Sequence, residues 1–273
     1  MSTQNLPLLQ RRTVRVLTAG QIFSGFGLGS TLSIGSLLAQ ELSGSTAWAG
    51  AAATFSTLGA ATWAIPLARV AYARGRRFSL GLGAAIAITG ASLIITATAI
   101  RFFPLLLLAL FLLGAASATG LQARFAATDL PAQKSQSRDL SIVVWATTIG
   151  AVIGPNLFGP GEIIGNAVGL PHMTGPFLVT MMAQLLATLI FWFGLNPDPL
   201  LTAKTLGDAK AQKPKLSFGS AFATLKEYPR AAYAVISIAL SHMVMVAVMS
   251  MTPLHMHHLG YDLVVVGFTI SLH

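Results

Sequence analysis

The chain has 273 residues, of which 54% are apolar and only 9% are charged. An ordinary soluble domain carries about 25% charged residues, so this composition excludes a soluble globular protein, and the high hydrophobicity excludes a disordered one. Cysteine is absent, which excludes disulfides, thiolate metal sites and cysteine nucleophiles. The formal net charge is +9, and its meaning depends on where the basic residues lie.

Long apolar stretches recur along the chain, and most are long enough to form membrane-spanning helices. About 20 mostly apolar residues cross the hydrocarbon of a bilayer, and these runs lack the alternation of a transmembrane barrel. Seven spans are predicted, at 16–39, 48–70, 78–100, 104–122, 141–159, 176–195 and 231–253. An eighth begins near residue 263 and covers about half a bilayer before residue 273. We therefore expect an all-α membrane protein with seven spans and a truncated eighth, forming the N-terminal part of a longer protein.

The basic residues lie almost entirely on one side of the predicted membrane. Sixteen of the 17 Lys and Arg residues precede the first span or follow the second, fourth and sixth spans, and Arg101 alone lies on the other side. Because positive charge accumulates on the cytoplasmic side, this distribution predicts a multi-pass protein of the cell membrane with a cytoplasmic N-terminus. The charge reflects topology, and no nucleic-acid partner is expected, since no soluble domain presents a basic cluster.

Two of the predicted cytoplasmic connections are rich in charged residues. The connection between the second and third spans contains Gly75, Arg76 and Arg77. The connection between the fourth and fifth spans contains Arg124, Asp129, Arg138 and Asp139. We expect the charges of this second connection to pair and to hold neighbouring helix ends together. Exposed ion pairs contribute only about 0–1 kcal/mol each, so such pairs would bias a conformational equilibrium without defining it.

The fifth predicted span contains small residues four positions apart, followed by proline. The residues are Gly150, Gly154 and Pro155, and then Gly159 and Pro160. Small residues at this spacing let two helix backbones approach closely, and proline removes a backbone hydrogen bond and bends the helix. A closely packed, bendable helix suits a protein that rocks between two conformations. Simple tight packing is the alternative interpretation.

A 35-residue polar connection, residues 196–230, interrupts the series of spans. It divides the chain into a six-helix bundle at 1–195, a cytoplasmic linker at 196–230 and the start of a second bundle at 231–273. Leu216, Phe218, Phe222 and Leu225 lie near helical spacing within it. They predict a short amphipathic helix at the membrane surface, and an ordered linker without function is the alternative.

The seventh predicted span is unusually rich in histidine and methionine. Five of the nine Met residues and four of the six His residues lie between positions 242 and 258. His242, Met245 and Met249 share one helical face, because their spacing is i, i+3, i+7. Thioether sulfur suits Cu(I), and imidazole suits several transition metals. These residues are candidate metal ligands, while core packing by methionine and an organic-substrate pocket are the alternatives.

The order of six spans, a long connection and further spans resembles the major facilitator superfamily. The fifth span is similar to the family's G-x-x-x-G-P motif, which is usually associated with antiporters. Gly75, Arg76 and Arg77 match its G-x-x-x-D-R-x-G-R-R loop, whereas Ala68 and Tyr72 replace the first glycine and the acidic residue. The resemblance implies two six-helix halves that transport a small solute by alternating access. It also implies gating or packing roles for both motifs, and a missing C-terminal half without which the chain cannot transport.

The seventh span further resembles the CcoA-like copper importers of this superfamily. They carry an M-x-x-x-M pair in the seventh helix and an H-x-x-x-M pair in the eighth. Met245 and Met249 match the first pair, and His273 would be the histidine of the second. The resemblance implies that these three residues carry copper. The same branch includes members assigned to an organic vitamin, so the substrate stays open.

Nothing in the sequence points to catalysis. The chain lacks a P-loop and an H-E-x-x-H motif, so neither an enzyme nor a cofactor is expected. The first six spans hold no mid-membrane Asp or Glu, which argues against a carboxylate proton site there, and Gln21 is a candidate for lining a central cavity. Three functions stay open: a transporter that imports copper, an antiporter that exports a drug or metabolite, and a membrane scaffold. The expected partners are the lipid bilayer and either a small solute or a Cu ion.

Overall fold

The computed structural model describes residues 6–130, 135–207 and 218–272, apart from the side chains of residues 28–32, 218, 220–222 and 263. Within these ranges the chain forms α-helices and no strand, which confirms the all-α class. The helices are α1 (Leu6–Ser43), α2 (Ala51–Arg74), α3 (Arg76–Ala99), α4 (Phe103–Leu113), α5 (Ala115–Ala126), α6 (Gln136–Asn156), α7 (Phe158–Ala167), α8 (Gly175–Gly194), α9 (Pro199–Thr205), α10 (Phe218–Glu227), α11 (Pro229–His258) and α12 (Leu263–Ser271).

Every predicted span overlaps one helix or two consecutive helices, and the chain is a multi-pass membrane protein. Among the described residues, five helical segments are long and apolar enough to cross a membrane, and a sixth qualifies if α6 and α7 form one bent span. The five segments are Thr46–Arg74, Arg76–Ala99, Phe103–Ala126, Gly175–Thr205 and Pro229–His258. The count of seven spans and a partial eighth stays a prediction.

The fifth predicted span is longer than expected and is broken. In place of one helix at 141–159, α6 ends at Asn156 and α7 continues to Ala167 after a bend of 53°. Pro155 has no amide hydrogen to donate within the helix, and Gly159 and Pro160 follow at once. The bend therefore lies where the proline and the glycines predict it.

The predicted amphipathic helix of the long connection is present in part. Helix α10 covers Phe218–Glu227 and adjoins α11, and Leu225 within it is half-buried. Leu216 and the side chains of Phe218 and Phe222 lie outside the described residues.

Helices α1 to α8 form six helical segments, because α4 and α5 make one segment and α6 and α7 make another. These segments form a block in which α1 and α3 have the most extensive contacts. Helix α1 lies against α6 and α8, and α3 lies against α4 and α8. Two clusters of buried apolar side chains fill this block, one around Ile34, Leu106 and Phe177, and the other around Leu17 and Phe191. In lipid such a block is held together mainly by close packing, because lipid chains are as apolar as the side chains themselves.

The bundle has two chemically different ends. At one end, which we call the basic end, Gln10 near the start of α1 donates to the Ala127 carbonyl, and Arg76 pairs with Asp129. At the other end, which we call the opposite end, Gln40 Nε2 lies 3.3 Å from His258 Nε2. The predicted cytoplasmic connections before α3 and before α6 therefore meet at one end, together with the start of α1.

Among the described residues, helices α11 and α12 meet the six-helix block mainly near the opposite end. Along α11 the buried residues are Ser250, Pro253 and Leu254, all in its last third. Helix α12 lies against α6, α1 and α7, and Val266 and Ile270 are buried there. The rest of α11, toward the basic end, is uncovered.

Candidate functional site

The predicted small-residue motif of the fifth span lies at the contact between α1 and α6. A Cβ atom on Gly154 would lie 2.5 Å from the Phe26 carbonyl oxygen, and one on Gly150 would lie 2.9 Å from Gly25 Cα. These are backbone atoms, which cannot swing away as a side chain can. Only glycine fits at these positions, so the α1 and α6 backbones touch directly.

Pro155 lies where α6 meets α12. A Cβ atom on Gly267 of α12 would lie 3.0 Å from the carbonyl carbon of Pro155, and one on Gly159 would lie 2.7 Å from Val264 Cγ2. The bent segment thus contacts α1 on one side and α12 on the other. Its glycines let the neighbouring helices approach closely.

A buried polar cluster joins α1 to α5, α6 and α8. Gln21 is only 1% exposed and donates from Nε2 to the Gly120 carbonyl at 3.0 Å and to Thr147 Oγ1 at 3.2 Å. It is buried between helices in this structure, in contrast to the expected cavity-lining position. Gln184, fully buried on α8, donates from Nε2 to the Ser24 carbonyl at 3.2 Å. Sequence reasoning missed Gln184, although a lone amide in an apolar span is a recognisable feature.

Arg76 and Asp129 form a nearly buried ion pair at the basic end. Arg76 Nε lies 2.7 Å from Asp129 Oδ2, and Arg76 Nη2 lies 3.1 Å from Asp129 Oδ1. The two side chains are 12% and 11% exposed. Burial raises the pKa of the Asp129 carboxyl, while the hydrogen bond from Arg76 and its positive charge act in the opposite direction.

Asp129 therefore pairs with a residue outside its own connection, and this pair holds the neighbouring ends of α3 and α5 together, as expected. Its partner is the first residue of α3, because α3 begins beside the end of α5 and brings the Arg76 guanidinium to the carboxylate. Arg138 is exposed and forms no ion pair with any described residue. Asp139 accepts hydrogen bonds from Gln10 Nε2 at 2.7 Å and Ser135 Oγ at 3.0 Å.

Gly75 and Arg77 are held by Asp198, a residue that sequence reasoning missed. Gly75 separates α2 from α3 with φ +92°, a conformation that favours glycine, and a Cβ atom there would lie 2.6 Å from Asp198 Cγ. Asp198 Oδ2 accepts from the Arg77 amide at 2.7 Å, and Oδ1 accepts from Leu200 N at 3.0 Å. An aspartate directly before a proline is a common start of a helix, so this cap was readable from the sequence.

Three of the candidate metal ligands lie on α11: His242 and Met245 on its uncovered part, and Met249 at the edge of its contact with the six-helix block. Met245 and Met249 are one turn apart in a continuous helix, with Met245 40% exposed and Met249 half-buried. His242 is exposed one turn before Met245. His273 lies outside the described residues. In the part of the chain that the structure describes, no three His, Cys, Asp or Glu side chains converge as a metal site.

A pocket of about 420 Å³ lies at the opposite end, where α7 faces the turn between α11 and α12. Glu162, His172, His257 and Asp262 are among its lining residues. Glu162 Oε1 accepts from the Met173 amide at 2.9 Å and lies 3.9 Å from His172 Nε2. Sequence reasoning missed this juxtaposition of Glu162 with His257 and Asp262.

Comparisons with known proteins agree with this architecture. A family model described as Major Facilitator Superfamily matches residues 17–273. Over 265 residues the chain is 37% identical to the uncharacterized MFS-type transporter YdeG of Bacillus subtilis (strain 168). Over 267 residues it is 36% identical to the uncharacterized MFS-type transporter YddS of the same organism. Each comparison covers 97% of this chain, but only 62% of YdeG and 61% of YddS.

The fold is also similar to a solved structure. The in meso crystal structure of the POT family transporter PepTSo superposes with a TM-score of 0.51 and 17% sequence identity. The comparison covers 97% of this chain and 54% of that one. At this identity the likeness concerns the fold alone.

Proposed function

The chain belongs to the Major Facilitator Superfamily, and from this premise we propose that it is the N-terminal part of a secondary transporter that moves a small solute by alternating access. In this proposal residues 1–195 form the first half with six spans. Residues 196–230 are the linker, and residues 231–273 begin the second half with a seventh span and part of an eighth. The chain requires the remainder of that second half for transport.

One observation carries the proposal: α11 and α12 contact the six-helix block mainly near one end. In alternating access, two bundles stay in contact on one side of the membrane while a central site opens to the other. Buried residues confined to the last third of α11, with its remaining length uncovered, fit a state that is open toward the basic end. The glycine contacts of α6 with α1 and α12 give the close helix packing that suits such rocking.

A cross-linking experiment tests this mechanism directly. The chain has no cysteine, so the double variant Gln40→Cys/His258→Cys, made in a full-length transporter whose remaining half is free of cysteine or has been made so, introduces one pair that bridges α1 and α11. Cross-linking this pair holds the opposite end closed and is expected to abolish solute transport in liposomes, and reduction restores it.

The matched control is Glu41→Cys/Arg101→Cys, whose parent side chains lie 3.5 Å apart within the six-helix block. Cross-linking inside one bundle leaves rocking intact, so transport is expected to continue. Undiminished transport after complete cross-linking of positions 40 and 258 would contradict the proposal.

We also propose that the basic end faces the cytoplasm, as the positive-inside rule predicts. Reporter tags placed before α1 and within residues 196–230 are both expected on the cytoplasmic side. Tags on opposite faces of the membrane would overturn this orientation.

Copper import is a narrower proposal about the substrate. It is supported by Met245 and Met249, which lie one turn apart on α11 with His242 on the same face, and it includes His273 as a further ligand. In the full-length transporter, Met245→Leu and Met249→Leu are each expected to abolish uptake of radiotracer copper into liposomes. Met243→Leu, on another face of the helix, is the control, and normal copper uptake in both variants would defeat the proposal.

Antiport of a drug or metabolite is the competing proposal. It is supported by the G-x-x-x-G-P segment at the contact of α6 with α1 and α12. It predicts energised efflux of an organic solute that depends on Gly154 and Pro155 and is indifferent to the α11 methionines. If the full-length protein moves neither copper nor any member of an organic solute panel, a membrane scaffold is the better description.

A further inference from the structure

A second pocket lies at the basic end, and the proposed transport mechanism does not use it, although Arg77 of the predicted loop motif lines it. Its volume is about 560 Å³, and residues at the end of α2, the beginning of α3 and the segment from the end of α8 into α9 line it. Its lining includes two arginines, two aromatic rings and several polar residues, among them Arg74, Arg77, Phe78, Trp192, Asp198 and Thr205.

The two arginines of this pocket are held by aromatic rings. The Cζ atom of Arg77 lies 5.2 Å from the centroid of the Trp192 ring, and that of Arg74 lies 5.0 Å from the Phe78 ring. Neither arginine forms an ion pair with a described carboxylate. Stacking on a ring positions a guanidinium while leaving its N–H donors available.

The one carboxylate in the pocket is already engaged by backbone amides. Asp198 Oδ2 accepts from the Arg77 amide at 2.7 Å, and Oδ1 accepts from the amides of Leu200 and Leu201 at 3.0 Å and 3.1 Å. It therefore anchors α3 and α9 and makes no direct hydrogen bond to either guanidinium. The donors of Arg74 and Arg77 are left for an anion from outside the chain.

We propose that this pocket binds the phosphate headgroup of an anionic phospholipid from the adjoining leaflet. Guanidinium groups match phosphate oxygens in a bidentate geometry, and basic pockets between membrane helices are typical headgroup sites. Trp192, which is 38% exposed near the end of α8, has the position of a residue at the membrane interface. The orientation proposed above decides only which leaflet supplies the lipid.

The apolar part of the lining favours a lipid over free phosphate. Leu195 and Leu201 lie in the pocket beside the Phe78 and Trp192 rings. A phosphate ion would leave these surfaces uncovered, whereas the glycerol and upper acyl chains of a phospholipid would cover them. A bound lipid would contact both the start of α3 and the segment between α8 and α9.

Lipid binding to the purified full chain in neutral detergent tests the proposal. We expect native mass spectrometry to show phosphatidylglycerol adducts at concentrations of added lipid at which phosphatidylcholine adducts are absent. The variant Arg74→Gln/Arg77→Gln is expected to weaken phosphatidylglycerol binding by at least about tenfold. It removes the charge-assisted hydrogen bonds between the guanidinium groups and the phosphate, which contribute more to binding than neutral ones.

The matched control is Arg12→Gln/Arg138→Gln, which removes the same charge from exposed positions at the same end. It is expected to weaken binding by less than about threefold. Equal binding of the two lipids, or an equal loss in the control variant, would overturn the proposal. Displacement of phosphatidylglycerol by an equimolar amount of inorganic phosphate would assign the pocket to free phosphate and would also overturn it.

A charge-conserving variant keeps the test decisive if the glutamine variant does not fold. Arg74→Lys/Arg77→Lys keeps the net charge but loses the planar fork, so we expect weaker phosphatidylglycerol binding than in the wild type. Wild-type binding by this variant would overturn the proposal. Because lipid binding in detergent needs no transport, failure here leaves the transporter proposal untouched, and failure of transport leaves the pocket untouched.

Discussion

Helices α3 and α11 are both apolar enough to span a membrane, yet they pack in opposite ways. In α3, half of the most apolar 18-residue stretch is buried inside the protein. In α11, only 6% of the corresponding stretch is buried. The buried face of α3 consists largely of glycine and alanine, including Gly83 and Gly90, whose missing Cβ atoms admit Thr119 and the α4 backbone. The side chains of α11 are mostly larger: valine, isoleucine, methionine and histidine.

The comparison shows that hydropathy and burial are separate properties of a membrane helix. Apolar composition decides whether a helix enters lipid, whereas small residues decide whether other helices can approach it closely. The six-helix block is rich in such residues and packs with itself. Helix α11 has no glycine and a smaller share of such residues, and its buried residues in this chain are Ser250, Pro253 and Leu254, where it meets the block.

Filling the α1–α6 contact is expected to have the largest effect. Gly150→Val would force its side chain into the α1 backbone beside Gly25, and backbone atoms cannot relax as side chains do. We expect a loss of more than about 4 kcal/mol in the free energy of unfolding, which exceeds the usual cost of overpacking a core. Circular dichroism during titration with dodecyl sulfate measures this loss.

Gly120→Ala is the control for this substitution. It adds a Cβ atom to another helical glycine, where that atom would lie 3.6 Å from Gln21 Oε1, at ordinary contact distance. We expect little change in unfolding. If Gly150→Val unfolds like Gly120→Ala, close backbone packing is not what holds the block together.

Breaking the buried ion pair at the basic end is expected to have the next largest effect. Arg76→Gln leaves Asp129 buried without its counter-ion and should cost about 3 kcal/mol in the free energy of unfolding. The double variant Arg76→Gln/Asp129→Asn removes both charges and should recover much of that loss. The control, Glu41→Gln, disrupts the exposed pair with Arg101 and should cost about 0–1 kcal/mol.

The loss in Arg76→Gln should depend on pH. Burial already raises the pKa of Asp129, and removal of Arg76 raises it further, so the folded variant binds this proton more tightly than the folded wild type. The difference in stability between the two is therefore expected to shrink as the pH falls and Asp129 becomes protonated. A difference that is constant across acidic pH would show that Asp129 does not cause the loss.

These residues also show how far the sequence could predict the structure. The helices follow from continuous apolar runs, and the bend and the close contact of α6 follow from the spacing of Gly150, Gly154 and Pro155, because these are local properties of the chain. The ion-pair partner of Asp129 could not be predicted from the local sequence. Arg76 is 53 residues away, and only the packing of α3 beside α5 brings the two side chains together. The buried position of Gln21 depends in the same way on helices that pack around it.

Removing the shared cap of α3 and α9 is expected to have a moderate effect. Asp198→Ala leaves the amides of Arg77, Leu200 and Leu201 without their acceptor and should cost about 1–2 kcal/mol in the free energy of unfolding. Asp198→Asn keeps a side-chain oxygen as acceptor and should lose less. Equal losses in the two variants would argue that the charge of Asp198, and not its capping hydrogen bonds, is what stabilises the fold.

The smallest effect is expected on the uncovered part of α11, where Leu240 is 53% exposed. Leu240→Ala should change the free energy of unfolding of this chain by less than about 0.5 kcal/mol, as exposed positions usually do. The same substitution at Leu80 of α3, which is 1% exposed, should cost about 2–5 kcal/mol through the cavity it creates. If the remaining half of the full-length transporter packs against Leu240, the cost at Leu240 should rise in the full-length protein while the cost at Leu80 stays constant. A cost at Leu240 that is equally small in both proteins would indicate that this part of α11 faces lipid in the complete transporter as well.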